Sequence, residues 1–485
     1  MQVLQKIFGC ILLLLIVIAI KSQNTSNIFS NSSSTPLPDS SEKLFVKTII
    51  VKGNTQTKEY IILREISFAK GDSIKNSKLT EVLEQSRKQV YNTSLFTEVK
   101  FEVAAVSAHD IVIILVVKER WYIYPIPHFK PADRNFNEWI KTYSASLKRV
   151  NYGFKFVDFN LTGRRDQLRI YFLNGFSKDF SFNYNAPYSN KALTKGFVIG
   201  AGYSQKKEIA YKTDYNNRLL FYISDSLRSK FIGSTFYINT SYTLRKGFFV
   251  KHYFNVGFTT LTVSDSILLP KNNPNYLNTK NTVANIFEVS YAWQYVNVNN
   301  VSYSTKGRTA FIAISKRGLN FTGGINALTL EVGENHYFDL AKKWYSSIQL
   351  NGKLRLPLRQ AYINQKGLGY GDSYLRGLEY FVIDGVVTGL VKSTLKKKIL
   401  DTKFPVPFKI RTLSYIPLSI YVKTFADLGY AYNSQEFSTR LNNRLLYTGG
   451  FGIDILTFYD LNLRLEYSFN QLNEKGLFLH TQSGF

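Results

Sequence analysis

Cysteine is almost missing from this 485-residue chain: Cys10 is the only one, inside the apolar run from Ile7 to Ile20. A disulfide framework and cysteine-based metal sites are therefore excluded. A lipid-bearing cysteine would follow such a run rather than sit in it. Long apolar stretches are missing too. Beyond residue 20 nothing reaches the roughly 18 residues that a membrane-spanning helix needs. His109, His128, His252, His336 and His480 are scattered without metal-ligand spacing, so no metal site is expected. No Gly-x-Ser-x-Gly elbow occurs, and Gly369-Tyr370-Gly371 lacks the Lys-Ser/Thr and helix of a phosphate loop. No catalysis and no cofactor are expected. Acidic residues are few, 34 against 61 basic, for a formal charge of +27.

What the chain does have is aromatic: 33 Tyr and 37 Phe, with Phe, Trp and Tyr together making 15% of residues. A charged start, Met1 to Lys6, the run to Ile20 and the polar Lys21-Ser22-Gln23 read as a signal peptide over 1–23. Export argues against nucleic acid as the partner of the basic surplus. Residues 24–43, rich in Ser, Asn, Thr and Pro, read as a disordered linker.

Residues 44–124 read as a small α+β domain. Phe45 to Val51 is a strand closed by Gly53-Asn54, and Thr57 to Ile66 is a short helix. Leu79, Val82, Leu83 and Val90 share one face of a helix over Asn76 to Val90. Leu95 to Val99 opens a second strand. Ile111 to Val117 is a third, whose unbroken apolar run predicts a central position. This β-α-α-β-β order, with Gly71-Asp72 before the amphipathic helix, resembles a POTRA domain, a periplasmic module found beside outer-membrane barrels that handle polypeptides.

After a junction over 125–150, with Trp121 to Tyr124 leading into it, residues 151–485 change character. Ile348, Leu350, Leu354 and Leu356 alternate with Gln349, Asn351, Lys353 and Arg355. Leu461, Leu463, Leu465, Tyr467 and Phe469 alternate with Asn462, Arg464, Glu466, Ser468 and Asn470. Successive side chains on a strand take opposite faces, and a transmembrane barrel strand must be apolar outward and polar inward. About 335 residues at about 20 per strand and turn allow about sixteen antiparallel strands. The fold expected is a transmembrane β-barrel preceded by one small α+β domain. Its first strand is expected near Asn151–Asn160 and its last near Gly476–Phe485, the two meeting at a seam. A terminal aromatic, Phe485, resembles the signal by which outer-membrane barrels are assembled.

The stretch Val422 to Tyr430 sends Lys423, Phe425, Asp427 and Gly429 to the polar face. Before it lies a long connection, from about Leu356 to Val386, holding Leu375-Arg376-Gly377-Leu378. Long loops of this kind are usually functional. A guanidinium offers a planar fork suited to one carboxylate, so its natural partner is an inward carboxylate; Asp427 is one, and Glu466 on a later strand is another candidate. Here the chain resembles the BamA/TamA superfamily of outer-membrane assembly and translocation proteins. In that superfamily a Val/Ile-Arg-Gly-Phe/Tyr loop motif meets the acid of a Phe-x-Asp-x-Gly strand inside the lumen. Phe425-Ala426-Asp427-Leu428-Gly429 matches the strand motif in full. Leu375 and Leu378 depart from the loop motif, Leu378 standing where an aromatic is usual.

The resemblance implies a bacterial outer-membrane location with the N-terminal domain in the periplasm. It implies lipid and extended client polypeptides as partners, with periplasmic or lipoprotein accessory subunits as candidates. The implied function is client assembly or insertion, with the POTRA-like domain capturing clients and the seam inserting them. The alternatives are a two-partner secretion translocator, which typically carries two POTRA domains and a plug helix, and a passive porin or scaffold.

Overall fold

The computed structural model describes residues 42–131, 140, 144–223, 230–319, 324–410, 413–434 and 439–482. The expected signal peptide, nearly all of the linker and Phe485 lie outside these residues.

The N-terminal domain has strands β1 (Lys43–Lys52), β2 (Ser73–Lys75), β3 (Phe96–Ala105) and β4 (Asp110–Glu119), with helices α1 (Glu59–Leu63) and α2 (Asn76–Tyr91). The sheet order is β2-β1-β4-β3, so β4 is central, as its apolar run requires. Three-residue β2 is too short to carry a period, and the sequence reading passes over it. Leu79, Leu83 and Val90 of α2 pack with Leu44, Val46, Ile111, Ile113 and Leu115 in the core. Burying a side chain of this size contributes about 1.5–3 kcal/mol.

The rest is one antiparallel sheet of sixteen strands in chain order, which skips two short strand pairs, 208–213 with 219–223 and 366–368 with 383–384. Residues 421–430 alternate buried and exposed without a break: Tyr421, Lys423, Phe425, Asp427 and Gly429 face inward. Ile348, Leu350, Leu354 and Leu356 are exposed on the outer face, as are Phe451 and Phe469. An apolar exterior around a charged interior is the inverse of a water-soluble sandwich and suits lipid. Among the described residues no helix is long and apolar enough to cross a membrane.

One expectation is corrected. The sheet begins not near Asn151 but with β5 (Ile123–Pro131), which pairs with the strand Val150–Asp158. Pro125, Pro127 and Pro131 hide this strand from a sequence reading, because proline cannot donate to a ladder. It is tolerated here because β5 ends the sheet order and has one neighbour. The Phe159 amide donates to the Tyr122 carbonyl (3.1 Å), so even-numbered residues of β5 hold the hydrogen-bonded positions. The three prolines are odd-numbered, and the donors they remove are those on the free edge.

Candidate functional site

The connection after the strand Trp344–Leu356 turns into the barrel and carries Arg376 to the inward face of the strand Leu413–Tyr432. Asp427, fully buried, accepts from Arg376 three times. The Nε donates to Oδ2 at 2.9 Å, an Nη to Oδ1 at 2.5 Å, and the backbone amide to Oδ2 at 3.0 Å. The other guanidinium donors reach Thr394 Oγ1 (2.9 Å) and the Ser393 carbonyl (3.1 Å) on the adjoining strand. The Arg376 guanidinium also stacks 4.1 Å above the centre of the Phe425 ring.

Each residue of the strand motif thus has a physical part. Phe425 is the platform, Asp427 the acceptor, and Gly429 the gap: a Cβ there would lie 2.7 Å from Leu375 Cδ1. Gly377 has φ of +97°, and a Cβ on it would meet Ser468 Cβ at 2.9 Å, so the turn after Arg376 needs glycine. Leu375 and Leu378 are buried with Leu368, Phe381 and Ile383 in a cluster closed by Leu390 and Leu446 of the wall. Leu378 therefore contributes an aliphatic side chain to the packing that holds the loop against the wall.

Glu466 is a lesser partner of Arg376, 4.0 Å from its guanidinium. Its nearer contact is Lys423, whose Nζ lies 2.6 Å from Glu466 and 2.5 Å from Asp454. Tyr303, from the turn after the strand Val283–Val298, donates to Asp454 (2.8 Å). Inward charges so form a chain of contacts from Asp427 to the turn that holds Tyr303, on the side of the small N-terminal domain.

The far mouth is covered. Asn217, in the turn of the hairpin 208–223, donates to the Val382 carbonyl (3.0 Å) and Thr439 (2.8 Å) and accepts from the Leu441 amide (2.9 Å). Ile209, Ile267, Leu277 and Ala361 pack together in the same covering.

The near mouth carries the small domain, through contacts that no sequence spacing announces. Glu65 pairs with Arg245 at 2.5 Å, and Tyr188 donates to the same carboxylate at 2.6 Å. Arg120 pairs with Asp460 (2.5 Å), which also accepts from Tyr91 (3.1 Å). Arg165 donates to the Thr93 carbonyl (3.0 Å), and Asn92 to that of Val298 (2.9 Å). Tyr188 and Leu193, from a barrel turn, complete the domain's own core.

Residues 45–120 match the family model for POTRA, described as surface antigen variable number repeat. The N-terminal domain is a POTRA domain. The chain thus joins this domain to an antiparallel sheet of sixteen strands. Solved structures similar to the whole chain include BamA from Haemophilus ducreyi lacking POTRA domains 1–3. That match is 14% identical, spans 90% of this chain and 84% of that one, and has a TM-score of 0.45. CdiB from Escherichia coli is 11% identical over 96% of this chain and 92% of that one, with a TM-score of 0.49. CdiB from Acinetobacter baumannii is 11% identical over 90% and 73%, with a TM-score of 0.46. Among curated proteins none matches this sequence.

Proposed function

We propose that this POTRA–barrel protein resides in the bacterial outer membrane with its POTRA domain in the periplasm and inserts or assembles client polypeptides there. The observation that carries this reading is the seam. β5 and the last strand, Lys475–Gln482, are the two ends of the sheet order, and among the described residues no ladder joins them. Both therefore offer edge groups to an incoming strand. Arg376 and Asp427 act as the anchor that keeps the long loop inside and the nearby wall in one shape while the seam moves. The POTRA domain at one mouth and the loops at the other argue against a pore that simply conducts small solutes. They also favour insertion at the seam over passage of a client straight through the lumen, as a two-partner translocator would need.

The test is a cysteine pair that joins β5 to Lys475–Gln482, with client trapping by photo-crosslinkers placed at the seam and on the edge strands β2 and β3. Oxidation is expected to stop client assembly and reduction to restore it. Unchanged assembly in the locked protein, or clients trapped only from lumen-facing positions, overturns insertion at the seam.

A further inference from the structure

The infolded loop and the last two strands meet at a second cluster, which shares only Glu466 with the surroundings of the Arg376–Asp427 anchor. Glu379 comes from the loop, Glu466 from the strand Asn462–Asn470, and His480 from the final strand Lys475–Gln482. One donor atom of each lies within 4.8 Å of the other two. His480 Nε2 stands 3.4 Å from Glu379 Oε1 and 3.4 Å from Glu466 Oε2. In the sequence His480 has no metal-ligand spacing. The fold brings in partners 14 and 101 positions away.

Two features separate this cluster from an ordinary polar contact. First, Glu379 Oε1 and His480 Nε2 are both buried atoms without a hydrogen-bond partner, although they face each other. Buried donors and acceptors are rarely left so, and each that is requires an explanation. Second, the remaining carboxylate oxygens are already held. The Gly377 amide donates to Glu379 Oε2 (2.7 Å), and Lys423 binds Glu466 Oε1 (2.6 Å). These outer contacts fix both carboxylates so that the orphaned Glu379 Oε1 and the second oxygen of Glu466 both face the imidazole, which itself stacks on Tyr374 (5.5 Å between ring centres). A tetrahedral divalent ion with bonds of about 2.0–2.1 Å to nitrogen and oxygen sets its ligands about 3.3 Å apart. The two measured separations from His480 fit that edge.

We infer that Glu379, Glu466 and His480 form a site for a divalent transition-metal ion, with Zn²⁺ the natural occupant for one imidazole and two carboxylates. A fourth position is left for water. Because the ligands come from the loop, the penultimate strand and the seam strand, the bound ion would tie the last strand to the loop anchor. This inference rests on the side-chain geometry and stands whatever the client.

The test uses the full chain in detergent micelles, stripped with chelator and then given ZnCl₂ or CoCl₂. The expected result is one zinc per chain by elemental analysis, with intense visible Co²⁺ bands of a tetrahedral centre. Glu379→Gln keeps the acceptor for Gly377, and His480→Gln keeps a polar side chain. Each is expected to weaken binding by roughly tenfold or more. Zinc is also expected to slow amide exchange in residues 475–482 of the wild type and not of either variant. Metal bound equally well by Glu379→Gln and His480→Gln, both with normal heat-modified gel mobility, overturns the site. So does zinc uptake no greater than that of the doubly substituted chain.

Discussion

Glu65 of the POTRA domain and Arg245 of the barrel form an ion pair in which the side chains are only 3% and 7% exposed. Burial pushes the Glu65 carboxyl up, but the hydrogen bonds and charge of Arg245, with Arg165 and Tyr188, outweigh it and hold the group at about 2. Removing one member of so buried a pair strands the other charge and costs about 3–5 kcal/mol. Arg245→Ala is therefore expected to release the POTRA domain from the barrel mouth, seen as new protease cuts near Arg120. The pH dependence has a definite sign. A carboxylate depressed by its partner contributes stability above its unfolded value, about 4.3, and loses it as pH falls through about 2. Docking should hold at neutral pH and weaken across that acid window. In Glu65→Gln this acid step should be absent. A docked, protease-resistant Arg245→Ala protein would show that the interface does not depend on the pair.

Arg376→Ala leaves Asp427 buried in the wall without its threefold donor. A loss of about 3–5 kcal/mol is expected, read as a lower temperature for the shift in heat-modified gel mobility. Arg376→Lys should restore little, since an ammonium cannot bridge both carboxylate oxygens, Thr394 and the Ser393 carbonyl while stacking on Phe425. Wild-type mobility together with normal activity in Arg376→Ala would remove the anchor from the mechanism.

The prolines of β5 make a prediction about the seam. Pro125→Val with Pro127→Val adds two amide donors to the free edge, each worth about 0.5–1.5 kcal/mol if it finds an acceptor. The double variant is expected to protect amides of residues 475–482 from exchange and to slow client assembly. Exchange as fast as in the wild type would mean that something other than missing donors keeps these edges apart.

Barrel strands are legible in sequence because their signal is local: a period of two survives wherever one face meets lipid and the other charge. Leu461 to Asn470 and Val422 to Tyr430 show it without ambiguity, and so a barrel of about sixteen strands could be anticipated, while the meeting of Arg376 with Asp427 was implied by the motif resemblance. β5 broke that rule, since an edge strand needs only half its donors and can hold proline. The Glu65–Arg245 pair spans 180 residues and the Glu379–His480 contact 101. No propensity or period encodes such distances. Sequence by itself determined the apolar and polar faces of the regular barrel strands and that a POTRA-type module precedes the barrel, and its motifs put Arg376 and Asp427 forward as a pair. Tertiary structure alone decided where the sheet starts, how the POTRA domain is seated, and which histidine gains two carboxylates. The physical reason is that burial patterns are written residue by residue, whereas charge partners are chosen only when register brings distant strands, turns and loops into one enclosed volume.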